Sequence, residues 1–198
     1  MISGGALLIT ARKENIDLSL GSNARIYLRY NDNPVLQNLK VFNSEQNPGP
    51  GFNWQFNTDS VNNKVLSSNA YYDVLSNRLN WINCGSLIDT NTIAQTNLSV
   101  HLPSNYTNAN TTVWISFNDF RSVVGLNTNI AARLFTSGRL PVGKHVTVVV
   151  MSKQGDDFYF GHQQTTTIAP SGTGNAQVVN ITPVKTSLVN IKSYLDNL

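Results

Sequence analysis

Three histidines, one cysteine and two glutamates limit the chemistry open to this chain of 198 residues. Hydrolysis by paired carboxylates needs two acids several ångströms apart, one with a raised pKa. Glu14 and Glu45 stand in polar contexts. Asp156 and Asp157 follow Gly155, where a hairpin turn is expected, and neighbours on a strand face opposite sides. His101, His145 and His162 match neither the His-x-x-x-His nor the His-Glu-x-x-His metal spacing, and no Gly-x-Ser-x-Gly elbow presents a serine. His101 and His145 each alternate with apolar neighbours, which puts their rings on a wet face. Cys84 follows Trp81-Ile82-Asn83 and reads as a small buried hydrophobe. Gly172 and Gly174 lack the following helix that would hold an anion. Asn31-Asp32-Asn33 lacks the terminal glutamate of a calcium loop, and Pro34 marks a turn. The expectation is a protein that is not an enzyme and carries no cofactor and no metal.

Binding is harder to exclude than catalysis. Trp54 and Trp81 fall on apolar strand faces and read as core. Trp114 differs, because Val113, Ile115 and Phe117 form the buried set and leave Trp114 beside Thr112, Ser116 and Asn118. A large aromatic on a polar face stacks on a sugar or a partner, fills a seam between domains, or lies under a terminal helix. Tyr27, between Arg25 and Arg29, poses the same choice, with a surface cation–π pair as the plain reading. Trp114, Tyr27 and Arg29 are therefore the candidate binding residues.

The elements that must position these residues are strands. Charged residues make up only 13% of the chain, against roughly 25% in an average soluble domain. Asn, Thr and Ser replace them, Asn at about one residue in seven. Such side chains compete for backbone groups inside helices and suit turns and the wet faces of strands. The net charge of +3 rests on scattered Lys and Arg with no run of five, so no nucleic-acid partner is expected. No stretch approaches the roughly 20 apolar residues of a membrane span. The start, Met1 to Ile9, has no basic leader and is not a secretory signal. Either the protein is not exported or the chain is the mature or excised part of something longer.

Period-two alternation is clearest in Ile26, Leu28 and Tyr30, and in Phe52, Trp54 and Phe56. Further strands read at residues 6–12, 39–43, 71–75, 79–83, 92–102, 111–118, 122–126, 131–136, 144–153, 157–163, 165–168 and 177–182. Loops fall at 47–51 and 171–175. This rhythm suits sandwiches. After Pro183, Leu188, Ile191 and Leu195 recur at helical spacing with Thr186 or Ser187 as N-cap. A final edge strand through 188–191 is the alternative. The length accommodates two domains, residues 1–88 and 89–198. The fold expected is all-β, two tandem Ig-like or transthyretin-like sandwiches with a short C-terminal helix.

The stretch Leu140-Pro141-Val142-Gly143-Lys144-His145-Val146-Thr147 resembles the Pro-x-Gly lead into a strand of transthyretin-like and carboxypeptidase-regulatory-like sandwiches. Gly155-Asp156-Asp157-Phe158-Tyr159-Phe160-Gly161 looks like a hairpin of such a domain. The texture around Asn80-Trp81-Ile82-Asn83-Cys84 is similar to that of surface-associated β proteins of Bacteroidota. The resemblance implies an exported module of the cell surface or periplasm, part of a larger envelope assembly. Its expected partner is a protein, with a glycan as the alternative.

Overall fold

The computed structural model describes residues 1–31, 36–44, 54–68, 70–88, 93–129, 134–170 and 177–198. The turn read at 32–34, the loop at 47–51, Phe52 and the connection at 171–175 lie outside them. The described residues are mostly β, with one short helix. The chain divides into two compact units, Met1–Ile88 and Asp89–Leu198.

In the first unit the strands are β1 (Ile2–Ile9), β2 (Arg12–Lys13), β3 (Ile16–Asp17), β4 (Ile26–Asn31), β5 (Lys40–Ser44), β6 (Gln55–Phe56), β7 (Lys64–Ser67), β8 (Tyr71–Ser76) and β9 (Asn80–Ser86). One antiparallel sheet runs β1-β9-β5-β6 and another β4-β8-β7. Val41, Ile82 and Cys84 of the first share a core with Tyr72 and Val74 of the second, and Ile26, Leu28 and Tyr30 pack against it. Alternation along β4 thus aims one side of the strand into the core, as its residue pattern predicts. Gly5, at φ 150°, lets the Tyr30 ring approach, since a Cβ there would lie 2.5 Å from the ring. The hairpin β2–β3 closes through Glu14 and Asn15 at φ 51° and 65°, the two positive values that a type I′ turn demands.

The second unit holds β10 (Gln95–Thr96), β11 (Leu98–His101), β12 (Thr111–Phe117), β13 (Val123–Gly125), β14 (Asn127–Asn129), β15 (Leu134–Thr136), β16 (Leu140–Pro141), β17 (His145–Gln154), β18 (Asp157–Thr166), β19 (Gln177–Asn180), β20 (Val184–Thr186) and α1 (Leu188–Leu195). Its larger sheets run β14-β15-β11-β19 and β13-β12-β17-β18-β20. β19 lies parallel to β11. Leu98, Val100 and Val179 of one sheet meet Val113, Ile115, Val146, Val148 and Val150 of the other in one core. The β17–β18 hairpin turns at Gly155, whose φ of 62° suits the first central position of a II′ turn. α1 starts on Ser187, whose Oγ accepts from the Asn190 amide at 3.2 Å, so the tail is a helix and not an edge strand.

Several expectations change. β18 is one strand where two were read, because it pairs with β17 without a break from Asp157 to Thr166. β7, β14 and β20, three or four residues each, were not anticipated. Phe56, read as inward, is 44% exposed because β6 is a two-residue edge. The supposed wet side of β17 is also covered: Val149 lies under α1, and Thr147 Oγ1 donates to Asn118 Oδ1 at 3.0 Å. Asparagines also go inside. Asn63 is 4% and Asn83 2% exposed, since their carboxamides find partners. Asn63 accepts from the Asn77 amide and donates to the Asp59 carbonyl, and Asn83 accepts from Ser3.

Candidate functional site

The outer face of β4-β8-β7 carries two of the three candidate residues. Register sets Asp73 of β8 directly opposite Arg29 of β4. Arg29 Nε donates to Asp73 Oδ1 at 2.8 Å and Nη2 to Oδ2 at 3.0 Å, the two-pronged geometry that suits a guanidinium to a carboxylate. The same Nη2 donates to the Tyr27 hydroxyl at 3.1 Å. The guanidinium carbon lies 3.9 Å from the centre of the Tyr71 ring. The cation–π contact therefore falls on Tyr71 and not on Tyr27. Tyr27, two residues from Arg29, shares its face of β4, whereas Tyr71 reaches Arg29 from the neighbouring strand. Arg25 is engaged separately by Asn62. The Arg29 hydrogen bonds hold the Asp73 carboxyl below the usual carboxylate range, and Asp73 in turn raises Arg29 and pushes the Tyr27 phenol up. This face presents a neutralised pair flanked by the exposed side chains of Tyr27 and Leu66.

Trp114 belongs to the second unit. Val149 is its cross-strand partner, and its half-buried indole packs into the cluster that Val149, Phe160 and Ile191 form with Met151, Phe158, Tyr194 and Leu195. Of the roles read for it, packing under the terminal helix is the one the structure shows. His162, exposed on β18, stacks on Tyr194 with ring centres 4.2 Å apart. His145 Nδ1 sits 3.4 Å from Asp119 Oδ1 on the surface. Asp157 is paired with Lys185 at 2.7 Å. Cys84 is buried, its thiol 3.5 Å from the Gly5 carbonyl. Among the described residues no three His, Cys, Asp or Glu side chains gather where they could hold a metal ion. No helix among them is long and apolar enough to cross a membrane.

No family model, curated protein or solved structure matches this chain.

The surface that sequence reading passed over is the edge of the first unit's β1-β9-β5-β6 sheet. β1 ends that sheet. Its eight residues, Ile-Ser-Gly-Gly-Ala-Leu-Leu-Ile, include no charge and no proline. A register shift between Ser3 and Gly5 bends its first part, and from Gly5 to Ile9 the pairing with β9 is regular. Leu7 and Leu8 are 44% and 43% exposed. Edge strands usually carry lysine, proline or bulges that discourage another strand from adding. Over Ala6–Ile9, β1 carries none of these. The signal was present in the residues, as an uncharged apolar run. Its edge position was not, because that depends on which strands pair.

Proposed function

We propose that the chain is a non-catalytic structural and interaction module, and that it binds a protein partner by strand addition along β1. The observation that carries this reading is the uncharged, apolar stretch Ala6–Ile9 of β1 at the end of its sheet, with the side chains of Leu7 and Leu8 exposed. In strand addition the main-chain hydrogen bonds supply affinity, and alternate side chains supply selectivity. The finer fold reading, two tandem Ig-like or transthyretin-like sandwiches, is supported by each unit having two sheets that contribute to one core. Placement in a bacterial cell-envelope assembly of the Bacteroidota kind rests on the resemblance of the Asn80–Cys84 texture and the hairpin after Gly155.

The test is capture from native envelope extract with the full chain and with Leu8→Lys. Leu8 is exposed, so the substitution leaves the core intact while placing a charge on the edge. A partner retained by the native chain and lost by Leu8→Lys supports the reading. Recovery of no stable partner, or equal retention by both chains, overturns it.

A further inference from the structure

β1 has the residues of the very strand its own edge would accept. Register places Leu7 opposite Ile82 and Leu8 opposite Trp81, so the two leucines stand on opposite faces of the sheet. Ile82 lies in the core of the first unit and Ile9 packs against that core. Leu7 and Ile9 therefore share the inward face, and Leu8 stands beside Trp81 on the outward one. A strand laid along Leu7–Ile9 meets apolar neighbours on both of its faces, and a strand covered on both faces is an unbroken apolar run. Ala6-Leu7-Leu8-Ile9 is such a run, with no charge and no proline.

Symmetry narrows the pairing. Two copies of one strand pair antiparallel about a two-fold axis perpendicular to the sheet. That rotation keeps every side chain on its own face, so the axis must pass beside a residue and not between two. Centred on Leu7, it sets Leu7 against Leu7, Ala6 against Leu8 and Gly5 against Ile9, and the glycine gives Ile9 no side chain to touch. Centred on Leu8, it sets Leu8 against Leu8 and Leu7 against Ile9 twice over, clear of the register shift between Ser3 and Gly5. The four-stranded sheet β1-β9-β5-β6 is then doubled, and both ends of the joined sheet are the two-residue β6. Such a contact occupies both unguarded edges and closes, whereas head-to-tail addition leaves one edge open.

We propose, building on strand addition at β1, that the partner is a second copy of this chain, paired β1 to β1 about Leu8. Three residues per copy make a contact below the roughly 1,200 Å² of stable complexes, so the dimer is a transient one. The experiment is sedimentation equilibrium of the purified full chain from about 10 μM to about 1 mM, with reversible dimerisation as the expected result. Leu8→Lys sets two ammonium groups against each other at the axis and should weaken the dimer at least about tenfold. Leu8→Cys should cross-link to itself under mild oxidation, because directly opposed Cβ atoms lie about 4.5–5.5 Å apart, close to disulfide reach. Leu7→Cys should not, because Leu7 opposes Ile9. Both leucines are exposed and Cys84 is buried, so the fold and the native thiol stay out of the readout. A native chain that is monomeric throughout overturns the proposal. If a protein of different sequence is then captured from extract and lost by Leu8→Lys, strand addition stands without it, and if nothing is captured both fall. Dimerisation untouched by Leu8→Lys, or equal cross-linking of Leu7→Cys and Leu8→Cys, overturns it as well.

Discussion

Replacing Ile191 with alanine tests how the second unit closes the open side of its larger sheet. Ile191 is the buried residue of α1, 1% exposed, against Val149 and Phe160. An eight-residue helix has little stability of its own in water, so α1 exists because this face is docked. Ile→Ala removes three carbons, about 2.4 kcal/mol at about 0.8 kcal/mol each. A rigid cavity would add to that, toward the upper end of about 2–5 kcal/mol for such truncations. The helix is terminal and can settle or leave, so the loss is capped by its docking energy. About 2–3 kcal/mol is expected. At about 4 °C per kcal/mol for a domain of this size, the second unit's melting point drops by about 10 °C. The assay is a thermal melt followed by hydrogen exchange at the α1 amides, together with fluorine NMR of the fluorotryptophan-labelled chain. The Trp114 signal should move and those of Trp54 and Trp81 should not. A loss under about 0.5 kcal/mol, well below the cost of burying three carbons, with the Trp114 signal unmoved, would refute the docking argument.

Tyr30→Phe should stabilise the first unit by about 1 kcal/mol, because it deletes a buried hydroxyl that has no partner among the described residues and keeps the ring stacked on Tyr72 at 5.5 Å. A lower urea midpoint for the variant would contradict this. Asp73→Asn should weaken the first unit at neutral pH and scarcely at all in acid. Arg29 depresses the folded-state pKa of Asp73, so its contribution is complete above the unfolded value of about 3.9 and disappears as pH falls through the folded value. Urea midpoints of native and variant chains, compared at neutral pH and below pH 3, should converge in acid. A gap that ignores pH would show that the ion pair is not its source.

Periodic segments were legible in the residues, and register was not. β4, β12 and β17 each hold enough alternating or continuous apolar residues for strand character to show through. The Ser187 cap and the spacing of Leu188, Ile191 and Leu195 likewise announce α1. β7 and β20 are too short for any period, and β18 hides its continuity behind Gly161 and Gln163-Gln164-Thr165. Tyr27 and Arg29 stand out because they are two residues apart on one strand. Their decisive partner, Asp73, lies 44 residues away in the chain and meets them only once β4 and β8 are in register. The partners of the buried Asn63 and Asn83 are hidden for the same reason. A one-residue slip of pairing reverses every side chain on a strand, and no local pattern of Asn and Ser specifies that slip. Asparagine is also ambiguous. The residue that suits a wet turn can sit inside when donor and acceptor are both met, as Asn63 shows.

The two units handle their sheet edges differently, and the difference points interaction toward the first. In the second unit the outermost strands of the larger sheets are β14 and β19, and β13 and β20, with three, four, three and three residues. Short edges give an incoming strand few backbone groups to pair with. The outward face of its larger sheet is further occupied by α1, which takes up Val149, Phe160 and Trp114. In the first unit, β4 and β7 are edges guarded by Arg29 and Lys64, and β6 has two residues. β1 alone among the described edges combines eight residues with no charge. Were strand addition at β1 of no use, a single lysine at Leu7 or Leu8 would remove the aggregation hazard without touching the core, because both side chains are exposed. The bulge between Ser3 and Gly5 guards the start of β1, but the uncharged stretch Ala6–Ile9 with its exposed Leu7 and Leu8 is a hazard unless something binds it, and that is why β1 carries the functional proposal.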